Sequence, residues 1–505
     1  MKWQIDKLIT QYYQAISACI ILLAISLRLY NLGNESLWLD EAIYANNSYT
    51  DFNHFLANTR TNNSSPILLP YLLYLLGDFV REPFTVRLLP CIFGILAVRV
   101  VLLLPKTGLS TLVCSLAGFW MAISPTHIRF SQEVREYSLS VLMTCGLLYA
   151  YLQLRQTRNS SALWLFAGLI FLTPLSAYGS CFMLFAILFV YFMERILAKQ
   201  LTIHEVVFLS APLLVSLAMS WLITAKYQMG VSHVFYLDDY YPPAGFLTSL
   251  KWLAPRGGEY ISYTSGSKYL AYLSLPMLFI FYISLFLKKI NQPLENSLFW
   301  ILLVLVAGSV VANFLKMYPF GPIRQQLFAS PLVILCIIIS SLWLGEQLKL
   351  AKSTYYLLSI SLLLLFFLPK LPRAYQSDQD ILAAVSQAIP ASVKDTDVYV
   401  YYNAKHAAQF HYPDKHYIYG SGSWERGASE PKAQVDSMMQ EIISQMQSCE
   451  YYLLFTHILY DEDQELIAGL KNIYGAVGIT QQKFPGSNVV KVSRCNVIEN
   501  SKKTQ

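Results

Sequence analysis

Charge is scarce in this sequence: Lys, Arg, Asp and Glu make up 13% of its 505 residues, roughly half the share of a soluble domain. That shortage excludes a chain with an ordinary water-facing surface along its whole length. The formal net charge is only +6, and the basic residues stand singly or in pairs near the ends of apolar runs, which excludes a nucleic-acid-binding stripe and fits helix anchoring. No small-residue cleavage site follows the first apolar stretch, where Arg28 and NLGNESLWLDE come next, so an uncleaved first span is expected. The eight cysteines show no metal-ligand spacing. Cys19, Cys91, Cys114, Cys145, Cys181 and Cys336 lie within apolar runs as small packing residues. Cys449 and Cys495 lie in a polar tail, where one bridge would form if that tail faces an oxidising compartment.

Apolar residues are abundant, at 55% with a mean hydropathy of +0.41. They recur in runs long enough to cross a bilayer as helices, near residues 14 to 31, 84 to 104, 109 to 127, 138 to 154, 161 to 177, 180 to 198, 205 to 225, 268 to 287, 296 to 315, 325 to 345 and 354 to 370. The fold class expected is a polytopic α-helical membrane protein of about eleven transmembrane helices, with residues 1–370 as the membrane domain and 371–505 as a soluble α/β domain. The run SPILLPYLLYLLGDFV, residues 65 to 80, is short and opens at a proline. If it lies along the outer interface, Lys2/Lys7, Lys106, Arg155/Arg158, Arg195/Lys199, Lys288/Lys289 and Lys349/Lys352 all fall on the cytoplasmic side, as the positive-inside rule requires. Residues 32–83, 128–137, 226–267 and the tail then share the outer side, where functional groups should converge.

The tail alternates helical segments (DQDILAAVSQAIP, VDSMMQEIISQMQ, ELIAGLKNIYG) with extended ones (VYVYY, YYLLF, NVVKVSRC), so an α/β domain follows. It carries no Gly-rich phosphate loop, and its His406, His411 and His416 read as surface histidines.

Residues able to do chemistry cluster in the outer segments. SLWLDEAIYAN places Asp40 and Glu41 soon after the first span, where two adjacent carboxylates cost desolvation energy unless paired. Asp40 alone could cap the helix that follows, which leaves Trp38 and Glu41 unexplained. SPTHIRFSQEVREYSL brings His127, Arg129, Gln132, Glu133, Arg135 and Glu136 between two spans; part of it could be an internal salt-bridge network. Arg87 and Arg324 are cations at the outer ends of their spans, Arg324 on a stretch stiffened by Pro319 and Pro322, and either could hold a bound phosphate. Arg28 and Arg99 read as anchors. In the aromatic loop 226–267, Arg256 with Gly257 and Gly258 would suit a mobile phosphate contact. A base for an acceptor proton and cations for a departing phosphate are what glycosyl transfer from a sugar phosphate needs.

In the order RLYNLGNESLWLDEA, SPILLPYLLYL, FTVRLLP, SPTHIRFSQEVREYSL and a late proline-rich segment with Arg324, the chain resembles the GT-C membrane glycosyltransferases of the protein-mannosyltransferase and aminoarabinose-transferase-like group, often called family 39. The likeness covers residues 20 to 150 best. It implies a polyprenyl-phosphate sugar donor, Asp40 as general base supported by Glu41, Glu133 and Arg135 beside it, and an extracytoplasmic tail. Some relatives carry Lys-Pro-Pro or His-Pro-Pro where this chain has Ser64, Ser65 and Pro66, and some an Asp where it has Gln132 and Glu133.

The expected function is inverting transfer of a sugar to an acceptor hydroxyl on a lipid, glycan or protein at the outer face of a bacterial plasma membrane. Asp40, Glu41 and Glu133 would be catalytic, and Arg135, Arg87, Arg324, His127, Gln132 and Arg256 would bind substrate. No cofactor is implied beyond a possible divalent metal, for which no ligand residues are assigned. The rival class is a transporter or lipid-linked-sugar flippase, against which stand the absence of an internal repeat and the gathering of charge at one face.

Overall fold

The computed structural model describes residues 9–61, 65–228, 240–243, 245–287, 293–376, 380–423, 429–459 and 461–494. Each apolar run named above coincides with a helix, and the protein is a multi-pass membrane protein. Among the described residues eight helices are long and apolar enough to cross a bilayer; a further candidate is bent by 61° between Thr111–Ile123 and Pro125–Ser131, and Tyr13–Leu29 and Ser160–Ser176 are each 17 residues long. Large apolar side chains such as Trp164, Phe279 and Leu197 are exposed on the spans, as a lipid solvent permits. The segment after Ser65 forms Leu68–Leu76 followed by a tight turn Gly77–Val80, only about 20 Å of helix. The chain divides into two compact units. The first takes Met1–Leu32, Phe52–Leu75 and Arg87–Tyr375; the second takes Gly33–Asp51 and Leu76–Val86 together with the tail.

In the first unit the bend at Ser124 has an identifiable cause. Pro125 has no N–H to give the carbonyl of Met121 one turn earlier, so the helix stops and restarts with proline in its first position. The freed carbonyls are met by Arg28, which is wholly buried: it donates to Met121 O at 2.9 Å, to Ala122 O at 3.1 Å and to Ser131 Oγ at 3.2 Å. Arg28 is therefore not the snorkelling anchor expected from its place near a span end, but the hydrogen-bond partner of a broken helix 94 residues away. Gly94 makes room for it. A Cβ there would lie 2.1 Å from Ser131 Oγ and 3.1 Å from the Arg28 guanidinium.

The second unit is built on a five-stranded sheet, β1 (Val398–Val400), β2 (Ile418–Tyr419), β3 (Glu450–Thr456), β4 (Ile479–Phe484) and β5 (Ser487–Ser493), in the order β2-β1-β3-β5-β4. β1 runs parallel to β2 and β3, and β5 pairs antiparallel with both β3 and β4. The central strands read YYLLF and VYV because they are covered on both faces. β4, at the edge, exposes Thr480, Gln481, Gln482 and Lys483, polar residues that discourage edge pairing. The turn between β4 and β5 uses Gly486 at φ +61°. Helices Ile381–Ala388, Lys405–His411, Pro431–Gln445 and Glu462–Tyr474 complete the domain. Cys449 is disulfide-bonded; its expected partner, Cys495, lies outside the described residues.

Burial beside Lys405 pushes the His406 imidazole down from 6.5 to about 4. The folded tail thus binds this proton less readily than the unfolded chain, and its stability is lost as pH falls from 6.5 toward about 4. The unfolding midpoint of the tail, followed by hydrogen exchange in the full-length protein, should drop across that window, and His406→Gln should flatten the drop. Separately, Gly94→Ala should destabilise the membrane domain by about 1–3 kcal/mol through overpacking, measurable as a lower thermal midpoint in detergent. An unchanged midpoint would mean the Arg28 cradle has slack.

Candidate functional site

The two acidic stretches singled out in the sequence fall in different units, and each has its own local logic. In the second unit, the helix Leu39–Asn47 starts after extended Trp38. The carboxylate that reaches back to the start of this helix is Glu41, not Asp40: Glu41 Oε2 accepts from the Trp38 N–H at 3.4 Å, and Glu41 is 1% exposed. The capping that Asp40 could have supplied is done by its neighbour. Asp40 is left half-buried in the first helical turn, where the helix dipole favours a carboxylate.

This acidic helix lies against Lys405–His411 of the tail domain. The Leu37 N–H donates to His411 Nε2 at 2.9 Å, and Asn46 Nδ2 donates to the His406 carbonyl at 2.8 Å. The Trp38 and His457 rings sit 5.8 Å apart. Of the three histidines read as surface residues only His416 is exposed; His406 and His411 are half-buried. Histidines spaced five apart around tyrosines carry no sequence signal for this contact.

In the first unit the second outer segment and the late proline-rich segment come together. Pro125–Ser131 ends at Gln132, and the next helix starts at Tyr137. In the short stretch between them Glu133 and Arg135 are each 7% exposed. Arg324 opens the tight turn Arg324–Ala329, and its Nη1 lies 3.7 Å from Glu133 Oε1. Arg135 Nε donates to Glu136 Oε2 at 3.2 Å. The guanidinium carbons of Arg135 and Arg324 both sit 5.6 Å from the centre of the Tyr137 ring. One aromatic face system thus gathers two cations that are 189 positions apart in sequence (324 minus 135). Tyr137 is not among the sequence candidates, although the Arg-Glu-Tyr run contains it. Its ring is 2% exposed, and among the described residues its hydroxyl has no hydrogen-bond partner.

The remaining candidates have packing partners. Ser330 Oγ gives its one proton to the Thr264 carbonyl, so it must accept from His127 Nε2, 2.8 Å away; this bond ties the bent helix to the helix Ser330–Gln347. Gln132 Nε2 donates to Arg28 O at 2.8 Å and Tyr30 O at 2.7 Å, closing the first span onto the second outer segment. Arg87 is 5% exposed and reaches Leu32 O at 3.4 Å. Arg256 departs most from expectation. Its segment is not a mobile loop but the 20-residue helix Phe246–Ser265, which contains Pro255, Gly257 and Gly258. Arg256 pairs with Glu259 at 3.0 Å, lies over Trp252 and packs against Gly321, where φ is +136° and a Cβ would come within 3.4 Å of it. Nearby, Tyr260 stacks on Phe320 at 5.0 Å, so this helix braces the segment that leads to Arg324. Among the described residues no group of three or more His, Cys, Asp or Glu side chains is placed to hold a metal.

The Tyr137 geometry separates ring from hydroxyl. Tyr137→Phe should be as stable as wild type or more so, because it removes a buried hydroxyl without a partner. Tyr137→Ala should lose about 3–5 kcal/mol and release both arginines. Thermal unfolding in detergent decides it: a Phe variant as unstable as the Ala variant would show that the hydroxyl, not the ring, does the holding.

No family model matches the sequence, and no curated protein does. Solved structures do. The chain superposes on apo ArnT from Cupriavidus metallidurans with a TM-score of 0.57 at 9% identity, and on the same enzyme bound to undecaprenyl phosphate with 0.55 at 11%, each time over 94% of this chain and 97% of that one. The oligosaccharyltransferase of Archaeoglobus fulgidus, solved with Zn and sulfate, gives 0.50 at 14% identity over 87% of this chain and 67% of its own. At these identities the likeness is one of fold. This chain has the GT-C fold, a bundle of membrane helices with a small α/β domain at its C-terminal end.

Proposed function

We propose that the protein is a glycosyltransferase that moves a sugar from a polyprenyl-phosphate donor to an acceptor hydroxyl at the outer face of a bacterial plasma membrane, with the tail domain on that face. The observation that carries the reading is the pair Arg135 and Arg324, gathered over one buried tyrosine ring next to Glu133. Two guanidiniums, each a fork of N–H donors, in a chain whose helices expose large apolar side chains, suit a lipid-borne phosphate. The fold it shares with an enzyme solved bound to undecaprenyl phosphate supports the same donor class. The acceptor hydroxyl belongs to a lipid, a glycan or a protein.

In this reading Asp40 takes the proton of the acceptor hydroxyl as its oxygen attacks the anomeric carbon. The bond from that carbon to the phosphate oxygen breaks, its electron pair leaves with polyprenyl phosphate, and Arg135 and Arg324 stabilise the charge that appears there. One displacement inverts the anomeric configuration. Glu133 holds Arg324 in place, and Glu41 maintains the helix that carries Asp40.

Protein purified in detergent and given polyprenyl-phosphate-linked sugars tests the base. Asp40→Asn should lower kcat by about 10²–10⁴-fold with an unchanged thermal midpoint, and proton NMR of the wild-type product should show the opposite anomer. Full activity in Asp40→Asn, or retention of configuration, would remove Asp40 from this role.

A further inference from the structure

The tail domain follows the membrane helices in sequence, yet two pieces of the first outer segment, Gly33–Asp51 and Leu76–Val86, form one compact unit with it. Both ends of the acidic helix are tied to a single element of that domain. At the start, the Leu37 N–H donates to His411 Nε2 across 374 positions of sequence; near the end, Asn46 Nδ2 donates to the carbonyl of His406 across 360. His406 and His411 are the second and last residues of Lys405–His411. The Trp38 ring, one residue before the helix, lies 5.8 Å from that of His457, whose carbonyl accepts from Asn403 Nδ2 at 3.2 Å, in the turn Tyr402–Ala404 that leads into Lys405–His411. Ser36 adds a link through Asp380, at 3.5 Å, and accepts from the Ile381 N–H at 3.2 Å. A turn of chain carrying a reactive carboxylate would need only its own cap to be helical; these ties fix its position as well as its shape.

We propose that the tail domain positions the acidic helix, and that His411 is the positioning residue: its Nε2 lone pair holds the Leu37 N–H and thereby the turn bearing Asp40. The proposal rests on the reading of Asp40 as the base. The Leu37 N–H donates to an imidazole nitrogen, so His411 acts here as an acceptor and a ring of equal shape without one cannot replace it. A group that must sit within an ångström of its working place loses rate steeply when its support loosens.

Full-length protein carrying His411→Phe, His411→Gln or Asp40→Asn separates the possibilities. His411→Phe keeps a planar ring and loses the acceptor; it should lower kcat roughly 10- to 100-fold with little change in the KM for the polyprenyl-phosphate sugar, and should speed amide exchange at residues 37 to 47. His411→Gln, which restores an acceptor at similar reach, should recover most of both. All variants are compared at equal thermal midpoint. Faster exchange in His411→Phe with wild-type kcat, while Asp40→Asn is inactive, would overturn the positioning role. Unchanged exchange would overturn the clamp itself. If Asp40→Asn is active, the base reading falls, and the exchange result alone then decides whether the domain holds the helix.

Discussion

A buried guanidinium committed to backbone carbonyls is the constraint on which the membrane unit depends. Arg28 spends its donors on the carbonyls of Met121 and Ala122 and on Ser131 Oγ, beside the break that Pro125 imposes. In a bilayer an unsatisfied carbonyl costs several kcal/mol, so a bent helix at membrane depth needs such a partner. Once Arg28 supplies it, Pro125–Ser131 is set at 61° to the helix before it, Gln132 closes back on Arg28 O and Tyr30 O, and Glu133, Arg135 and Tyr137 are delivered as a group. His127 makes the matching tie on the other side, through Ser330.

The electrostatics of that group follow from how it is assembled. Arg324 arrives from a segment held by Pro319, Pro322 and the Tyr260–Phe320 stack, with Gln326 Nε2 donating to Pro319 O at 2.5 Å. Tyr137 offers its ring to both arginines, and each also has a carboxylate beside it, Glu136 for Arg135 and Glu133 for Arg324.

The spans were legible because a run of about 20 apolar residues is rare in a water-soluble chain and matches the thickness of a bilayer, and β1 and β3 because strands covered on both faces read as unbroken apolar stretches; the two-residue β2 and the polar edge strand β4 carry no such run. What stayed hidden was contact between distant positions. Arg28 reads as an anchor until the carbonyls freed by Pro125 are seen beside it. Asp40 and Glu41 are adjacent, and only the start of the helix at Leu39 shows that the third residue, Glu41, is the one able to cap. Phe246–Ser265 reads as a loop because Pro255, Gly257 and Gly258 are helix breakers, yet its packing on Phe320 and Gly321 outweighs them. His411 carries no local signal at all, since its partner is a backbone N–H 374 positions earlier. The resemblance to GT-C enzymes, drawn from short motifs, pointed to the fold that the solved structures share with this chain.

The central claim is that Arg135 and Arg324 grip a lipid-borne phosphate, and binding of undecaprenyl monophosphate to purified protein tests it without requiring the sugar or the acceptor to be known. Native mass spectrometry or a fluorescent competitor in detergent gives the Kd. Arg135→Gln with Arg324→Gln should weaken binding on the order of 100-fold, two charge-assisted contacts at about 1.5 kcal/mol each. Wild-type affinity in a folded double variant would contradict it.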